Sequence, residues 1–241
     1  MTTLGIIQAR MDSSRLPGKV LRRLGGRTVL DRVVRAAMQS GVLDQLVVAT
    51  TDEAHDDAVV AECAAIGVPC MRGSVDDVLD RFLKVLDQYE SDIVLRFTAD
   101  SPLLDPDLVA RAHRVFVAAG ADYLTTSITR TLPLGLDVEM VRTPVLRAID
   151  PLATAHHRTH VTSYIYTHAE DFDVIGLTMQ PDNSHLRLTL DTEDDWKLIE
   201  AIVAHFGDEP IAVRALVKWL AERPHLTELN SHVLQKMLIQ A

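Results

Sequence analysis

Cysteine is scarce: Cys63 and Cys70 are the only two in 241 residues, and they lack the paired spacing of a metal-binding cluster. That usage fits reduced thiols, so a cytoplasmic location is expected. Long apolar runs are missing as well; none would span a bilayer. The first residues, Met1-Thr2-Thr3-Leu4-Gly5, have neither the charged start nor the apolar core of a signal peptide. A broadly basic surface is also absent. The net charge is −10, which argues against nucleic acid as a partner. Glycine and serine form no linker, and no segment repeats. With 47% hydrophobic residues, the chain suffices for one large α/β domain.

Against this acidic background, one segment stands out. From Arg10 to Arg27 the only acid is Asp12, set against Arg10, Arg15, Lys19, Arg22, Arg23 and Arg27. The segment follows a short apolar run, Leu4 to Ile7, that reads as a buried strand, and Pro17-Gly18 breaks it. Ligands of open α/β sheets sit beyond the carboxyl ends of strands, where this loop falls. Guanidinium groups bind phosphate bidentately, and lysine adds a point charge. The loop is therefore expected to hold a polyanion rather than to be a solvated basic flank.

Strands and helices alternate along the rest of the chain. Leu46 to Thr50, Ile93 to Thr98 and Leu186 to Leu190 read as strands. Val29, Leu30, Val33, Val34 and Ala37 recur with helical period, as do Val78, Leu79, Phe82, Leu83 and Leu86. Ser74 with Asp77, and Thr192 with Asp195, resemble capping boxes. Asp105-Pro106 looks like a helix start. This rhythm predicts a mostly parallel, doubly covered sheet. Gly135 to Val141 alternates like a strand on a less buried sheet. Residues 1–209 are expected to form the catalytic domain, and 210–241 a helical tail of the same domain, reading as two helices. The apolar stripe Ile211, Val213, Leu216, Val217 and Leu220 exceeds what that core needs and points to a homodimer.

Asp100 follows the strand Ile93 to Thr98, and Asp191 follows Leu186 to Leu190. In a parallel sheet both can share an edge with the cationic loop. Mg²⁺ takes hard oxygen ligands, typically one or two carboxylates plus substrate phosphates. Singly, each aspartate reads as a turn or cap residue; together with the loop they suit phosphoryl or nucleotidyl transfer. Gly18-Lys19 is followed by Val20, which excludes the phosphate-binding G-x-x-x-x-G-K-[ST] loop. No G-x-G-x-x-G follows the first strand, and no G-x-S-x-G elbow occurs. Asp105-Pro106-Asp107 mimics a D-x-D pair, but helix capping explains it. His156, His157 and His160 suggest zinc, yet no third ligand for His156 and His160 is evident. A basic face toward an acidic substrate is the preferred reading of these histidines. Asp137 and Glu139 project to one face, where hydrogen bonds to sugar hydroxyls are expected.

The stretch IIQARMDSSRLPGKVL resembles the opening motif of the cytidylyltransferases that make CMP-activated sugar acids, such as CMP-Kdo synthetase and CMP-acylneuraminate synthetase. The chain is most similar to the branch typified by spore-coat polysaccharide biosynthesis protein F. Arg72-Gly73-Ser74, then Asp76 to Phe82, Gly135 to Glu139, His160 to Tyr164 and Leu190 to Asp195 carry that similarity, in order, from residue 6 to about residue 205. It implies a glycosyltransferase-A-like nucleotidyltransferase fold. It implies Arg10, Arg15 and Lys19 on the CTP triphosphate, with Ser13 in the same loop, and Arg72 and Ser74 beside the nucleoside. It implies Mg²⁺ on Asp100 and Asp191, and an acidic or other sugar as acceptor; Asp137, Glu139 and His160 are the residues expected to bind that substrate. Thr98-Ala99-Asp100 stands where the family has Gln-Gly-Asp. The alternatives are a uridylyl- or guanylyltransferase, a sugar transferase of the same fold, and a non-catalytic nucleotide-sugar sensor.

Overall fold

A computed structural model describes residues 1–235. The strands are β1 Thr3–Gln8, β2 Arg23–Leu24, β3 Arg27–Thr28, β4 Gln45–Thr51, β5 Cys70–Gly73, β6 Ile93–Thr98, β7 Tyr123–Thr125, β8 Glu139–Arg142 and β9 Val174–Gly176. Apart from the small β2–β3 ribbon they form one seven-stranded sheet in the order β5-β4-β1-β6-β8-β7-β9. β1 pairs parallel with β4 and β6; β8 runs antiparallel to β6 and β7. β1 is buried on both faces because it lies inside the sheet, between β4 and β6: Ile7 packs into one apolar layer, Leu4 and Ile6 into the other.

The first layer is built by helices α1 Val29–Gln39, α2 Asp57–Ile66, α4 Pro106–Ala119, α8 Glu193–Phe206 and α9 Val213–Ala221. The second is built by α3 Val78–Gln88, α5 Thr143–Ala148 and α7 Ser163–Thr167, with the short α6 Ala155–Thr159 nearby. Local chemistry sets the helix starts. The Thr28 side chain accepts from Asp31 N, and Thr192 with Asp195 completes a capping box. Asp105 caps α4, with Pro106 in its first turn. None of the described helices is long and apolar enough to cross a membrane.

Three expectations need correction. Ser74 caps no helix: its Oγ accepts from Asp76 N, while Asp77, three residues later, caps α3 by accepting from Asp80 N. Asp77 offers the nearer acceptor, so the helix begins there. Leu186 to Leu190 is extended but joins no strand of the sheet. Its backbone bonds go to Leu134 and Asp100, with one isolated bridge between Leu134 and Arg187. Gly135 permits that crossing: its φ is +98°, and a Cβ would run into the backbone of Leu188 and Thr189. Of Gly135 to Val141, only the part from Glu139 enters the ladder, as β8.

The tail contributes α9 and one further turn, α10 Pro224–Thr227; residues 236–241 of the expected tail lie outside the described residues. Ile211, Val213, Leu216 and Leu220 are buried in the first apolar layer, with Val217 packed against it. The stripe read as a homodimer surface is thus consumed by the chain's own core.

Candidate active site

The loop after β1 is tied down before it reaches any ligand. Met11 N donates to Asp56 Oδ1 at 2.7 Å, and Gly18 N closes back on Met11 O at 2.9 Å. Gly18, at φ 68°, then starts a single 3₁₀ turn that opens with Lys19. This geometry turns Lys19 inward, and the residue is only 7% exposed.

Lys19 Nζ donates to Asp100 Oδ2 at 2.9 Å, Asp191 Oδ1 at 2.8 Å and Leu190 O at 2.8 Å. Asp100 stands just beyond β6, and Leu190 N donates to Asp100 O, which draws the two aspartate segments together. Asp191 Oδ2 meets Arg15 at 3.0 Å and Arg187 at 2.9 Å. Arg187 is itself held by Asp195, at 2.8 Å through Nε and 3.0 Å through Nη2. Asn230, from the tail, donates to Asp195 Oδ1 at 2.8 Å. Burial opposes the charge on Lys19, but Asp100 and Asp191 outweigh it and hold its pKa above the ordinary value. Burial likewise opposes ionisation of Asp191, and Lys19, Arg15 and Arg187 reverse that, so its pKa is depressed.

These groups line a cavity of about 290 Å³. Arg10, Ser13, Arg15, Lys19, Asp100, His160 and Asp191 all reach it, as do Gln8, Arg81, Thr98 and Ala99. The guanidinium of Arg10 makes no ion pair among the described residues. His160 Nε2 is buried without a hydrogen-bond partner. Burial first, then His156 and Arg96, lowers the His160 pKa, which leaves the ring neutral at pH 7. His156 and His160 lie close, with ring centroids 4.9 Å apart.

Four expected site residues lie outside the cavity. Arg72 spends its guanidinium on Thr51 O, Glu53 O and Asp57, bracing the turn after β4. Ser74 serves the turn before α3. Asp137 is paired with Arg130 at 2.7 Å. Glu139 accepts from Arg96 at 2.9 Å and from Thr162 at 2.7 Å. Through Arg96 it braces Gln8, which does face the cavity.

Sequence reading missed Arg81, Arg187 and Asn230. Arg81 carried a signal, being a charge beside Val78, Leu79 and Phe82 on the apolar face of α3. Arg187 looked like the solvent-facing residue of an alternating strand.

Asp100 and Asp191 fit a divalent cation by chemistry: both are hard oxygen donors, adjacent across one ammonium group, at the wall of a cavity rich in phosphate-binding cations. Among the described residues no group of three His, Cys, Asp or Glu side chains is gathered for a metal. The remaining ligands would have to come from substrate phosphates and water.

Residues 4–222 match the protein family described as Cytidylyltransferase. The chain is 36% identical over 231 residues to spore coat polysaccharide biosynthesis protein SpsF of Bacillus subtilis, covering 92% of this chain and 95% of that one. It is 35% identical over 240 residues to an uncharacterized protein of Methanocaldococcus jannaschii, covering 98% and 97%. A 3-deoxy-manno-octulosonate cytidylyltransferase of Parvibaculum lavamentivorans is 34% identical over 131 residues, covering 54% of this chain and 50% of that one. Among solved structures, a cytidylyltransferase from Leptospira borgpetersenii aligns with a TM-score of 0.91 and 28% identity, covering 98% and 99% of the two chains. CMP:2-keto-3-deoxy-manno-octonic acid synthetase complexed with CTP aligns at 0.64 and 18% identity, covering 85% and 99%. A manganese complex of Rv0371c from Mycobacterium tuberculosis aligns at 0.60 and 18%, covering 83% and 99%. The last two show the nucleotidyltransferase-type fold alone.

Proposed function

Because this chain belongs to the cytidylyltransferase family, we propose that it transfers CMP from CTP to a hydroxyl of a sugar acid and releases pyrophosphate. The product would serve surface polysaccharide synthesis, and the reaction would take place in the cytoplasm. The observation that supports this most is Lys19 held between Asp100 and Asp191 at the wall of a cavity that also takes Arg10 and Arg15.

The acceptor hydroxyl gives its proton to water as its oxygen attacks the α-phosphorus, the bond from α-phosphorus to the bridging oxygen breaks, and pyrophosphate departs with the electron pair. Arg10 and Arg15 bind the triphosphate and stabilise the charge that grows on the leaving group. Ser13 lies in the same loop and adds a hydroxyl donor. Lys19 holds the two aspartates in register and supplies positive charge beside the α-phosphate. Neutral His160 offers its buried Nε2 side to the acceptor. Arg72, Ser74, Asp137 and Glu139 support the site from behind, through the turns and ion pairs they hold. When bound by Asp100 and Asp191, Mg²⁺ supplies charge neutralisation at the α-phosphate and acidifies the acceptor hydroxyl.

Pyrophosphate release should be measured with CTP, UTP, GTP and ATP, with Mg²⁺, against a panel of ulosonic and nonulosonic acids. CTP with at least one acid should react. Release with UTP or GTP and none with CTP would replace the reading by another nucleotidyltransferase. Nucleotide binding without release on any acceptor would favour a sensor.

A further inference from the structure

Cys63 and Cys70 have no part in the proposed reaction, yet the fold brings them together. Gly67, at φ 73°, ends α2, and Val68 N donates back to Cys63 O at 3.0 Å. Only Gly67 to Pro69 then separate α2 from β5, which starts at Cys70. Successive side chains of a strand point to opposite faces. Met71 packs against the second apolar layer, so Cys70 is turned to the first, where Cys63 is buried beneath α2. There the two thiols hydrogen-bond to each other. Their exposure differs. Cys63 is 0% exposed, whereas Cys70 is half-buried on a strand at the edge of the sheet.

That asymmetry gives the two sulfurs different chemistry. Donation from the Cys63 thiol, and then the charge of Arg72, hold the Cys70 pKa below the ordinary value against burial and Asp56. The same hydrogen bond and burial push the Cys63 thiol up. Cys70 is thus the thiolate of the pair and Cys63 its S–H donor. Arg72 follows Cys70 by two residues, on the same face of β5, and its guanidinium is fixed by Thr51 O, Glu53 O and Asp57. The cation therefore stays beside the thiolate. Neither cysteine lines the cavity of the candidate active site, so the chemistry of the pair is independent of nucleotidyl transfer.

We propose that Cys63 and Cys70 form a redox-active dithiol that a hydroperoxide oxidises to an intramolecular disulfide, with Cys70 as the attacking and Cys63 as the resolving residue. The Cys70 thiolate attacks one oxygen of the hydroperoxide, the O–O bond breaks, and Cys70 becomes a sulfenic acid. The other oxygen leaves as an alkoxide or hydroxide and takes up the proton that Cys70 had given to water. Cys63 sulfur then attacks Cys70 sulfur, the S–O bond breaks, and the departing oxygen carries off the Cys63 proton as water. Both sulfurs are oxidised, and the hydroperoxide is reduced to water and an alcohol, or to water alone. Thiols that already touch are within reach of such a bond.

The test treats the reduced full-length protein, freed of reductant, with hydrogen peroxide near neutral pH and follows intact mass and peptide maps made without reductant. The parent should lose about 2 Da, yield a peptide linked through Cys63 and Cys70, and return to its starting mass with dithiothreitol. Cys63→Ser should stop at a sulfenic acid on Cys70, trapped as its dimedone adduct. In Cys70→Ser, Cys63 should react with peroxide about 10-fold more slowly or less. A parent that keeps both thiols while free cysteine in the same solution is consumed, or that links two chains instead, would overturn the proposal. Dimedone labelling of Cys63 in Cys70→Ser as fast as that of Cys70 in Cys63→Ser would overturn the assigned roles. Should either variant fail to fold, the parent decides alone. Brief treatment with iodoacetamide should then label Cys70 before Cys63, and the reverse order overturns the roles.

Discussion

Lys19 and Asp191 are 172 positions apart in the chain and 2.8 Å apart in the fold. The first loop and the segment after Leu190 therefore close on each other through Lys19 and Arg15, both paired with Asp191, and Asp100 joins Lys19 from the end of β6. A pair this well shielded carries more weight than a surface bridge, and its loss should be read in both stability and rate.

Asp100→Asn and Asp191→Asn should each cut turnover by about a hundredfold to a thousandfold. Their stabilities should differ. Asp191 faces Lys19, Arg15 and Arg187, so its neutral replacement leaves three cations crowded together. Asp100 has one such partner and is more exposed. Urea unfolding of both variants should show the larger loss for Asp191→Asn; equal losses would mean the triple contact contributes little.

Stability should depend on pH in two windows. The depressed Asp191 pKa contributes stability that is present above its unfolded value of 3.8 and is lost as pH falls through the folded value below that. The raised Lys19 pKa contributes stability present below its unfolded value of 10.5 and lost as pH climbs through the folded value above that. Unfolding followed from acid to alkali should give a plateau between these limits. Lys19→Met should flatten the alkaline limb and weaken the acid one; an unchanged alkaline limb would show that the pair does not couple to folding.

Asp105→Asn should lower stability by about 1–2 kcal/mol and leave turnover near the parent's. Capping alone would tolerate asparagine. Here, however, both carboxylate oxygens accept: Oδ1 from Asp107 and Leu108 N, Oδ2 from Val213 N at 2.8 Å. An amide must present N–H to one of those donors. Thermal unfolding together with pyrophosphate release separates the two effects, and loss of activity without loss of stability would return the D-x-D pair to the active site.

What was legible in the sequence was what local chemistry dictates. The periodicity of Val78, Leu79, Phe82 and Leu86 gave α3, and the acid-poor run from Arg10 gave the loop. Leu186 to Leu190 alternated like a strand, but its partners are Leu134 and Asp100, which no local pattern reveals. Arg187 was hidden for the same reason: its two carboxylates become visible only when the segment turns inward. The tail's stripe was found but misassigned, because an apolar face does not say which surface covers it.

Asn230 links that tail to the site. It is 2% exposed and donates to Asp195 Oδ1 at 2.8 Å and to Arg187 O at 3.0 Å. Asp195 in turn fixes Arg187, and Arg187 fixes one oxygen of Asp191. Asn230→Ala should therefore do more than loosen the tail. Stability should fall by about 1–3 kcal/mol, because the Arg187 carbonyl loses its side-chain donor and Asp195 Oδ1 is left with Arg187 Nε alone. Turnover at saturating CTP, well below the melting temperature, should fall about tenfold, as expected when a support behind a site carboxylate is removed. Asn230→Asp should be worse than alanine in both respects, since it sets a carboxylate against Asp195. A normal kcat in a destabilised Asn230→Ala protein would show that the tail serves folding only and that Asp191 is held well enough by Lys19 and Arg15.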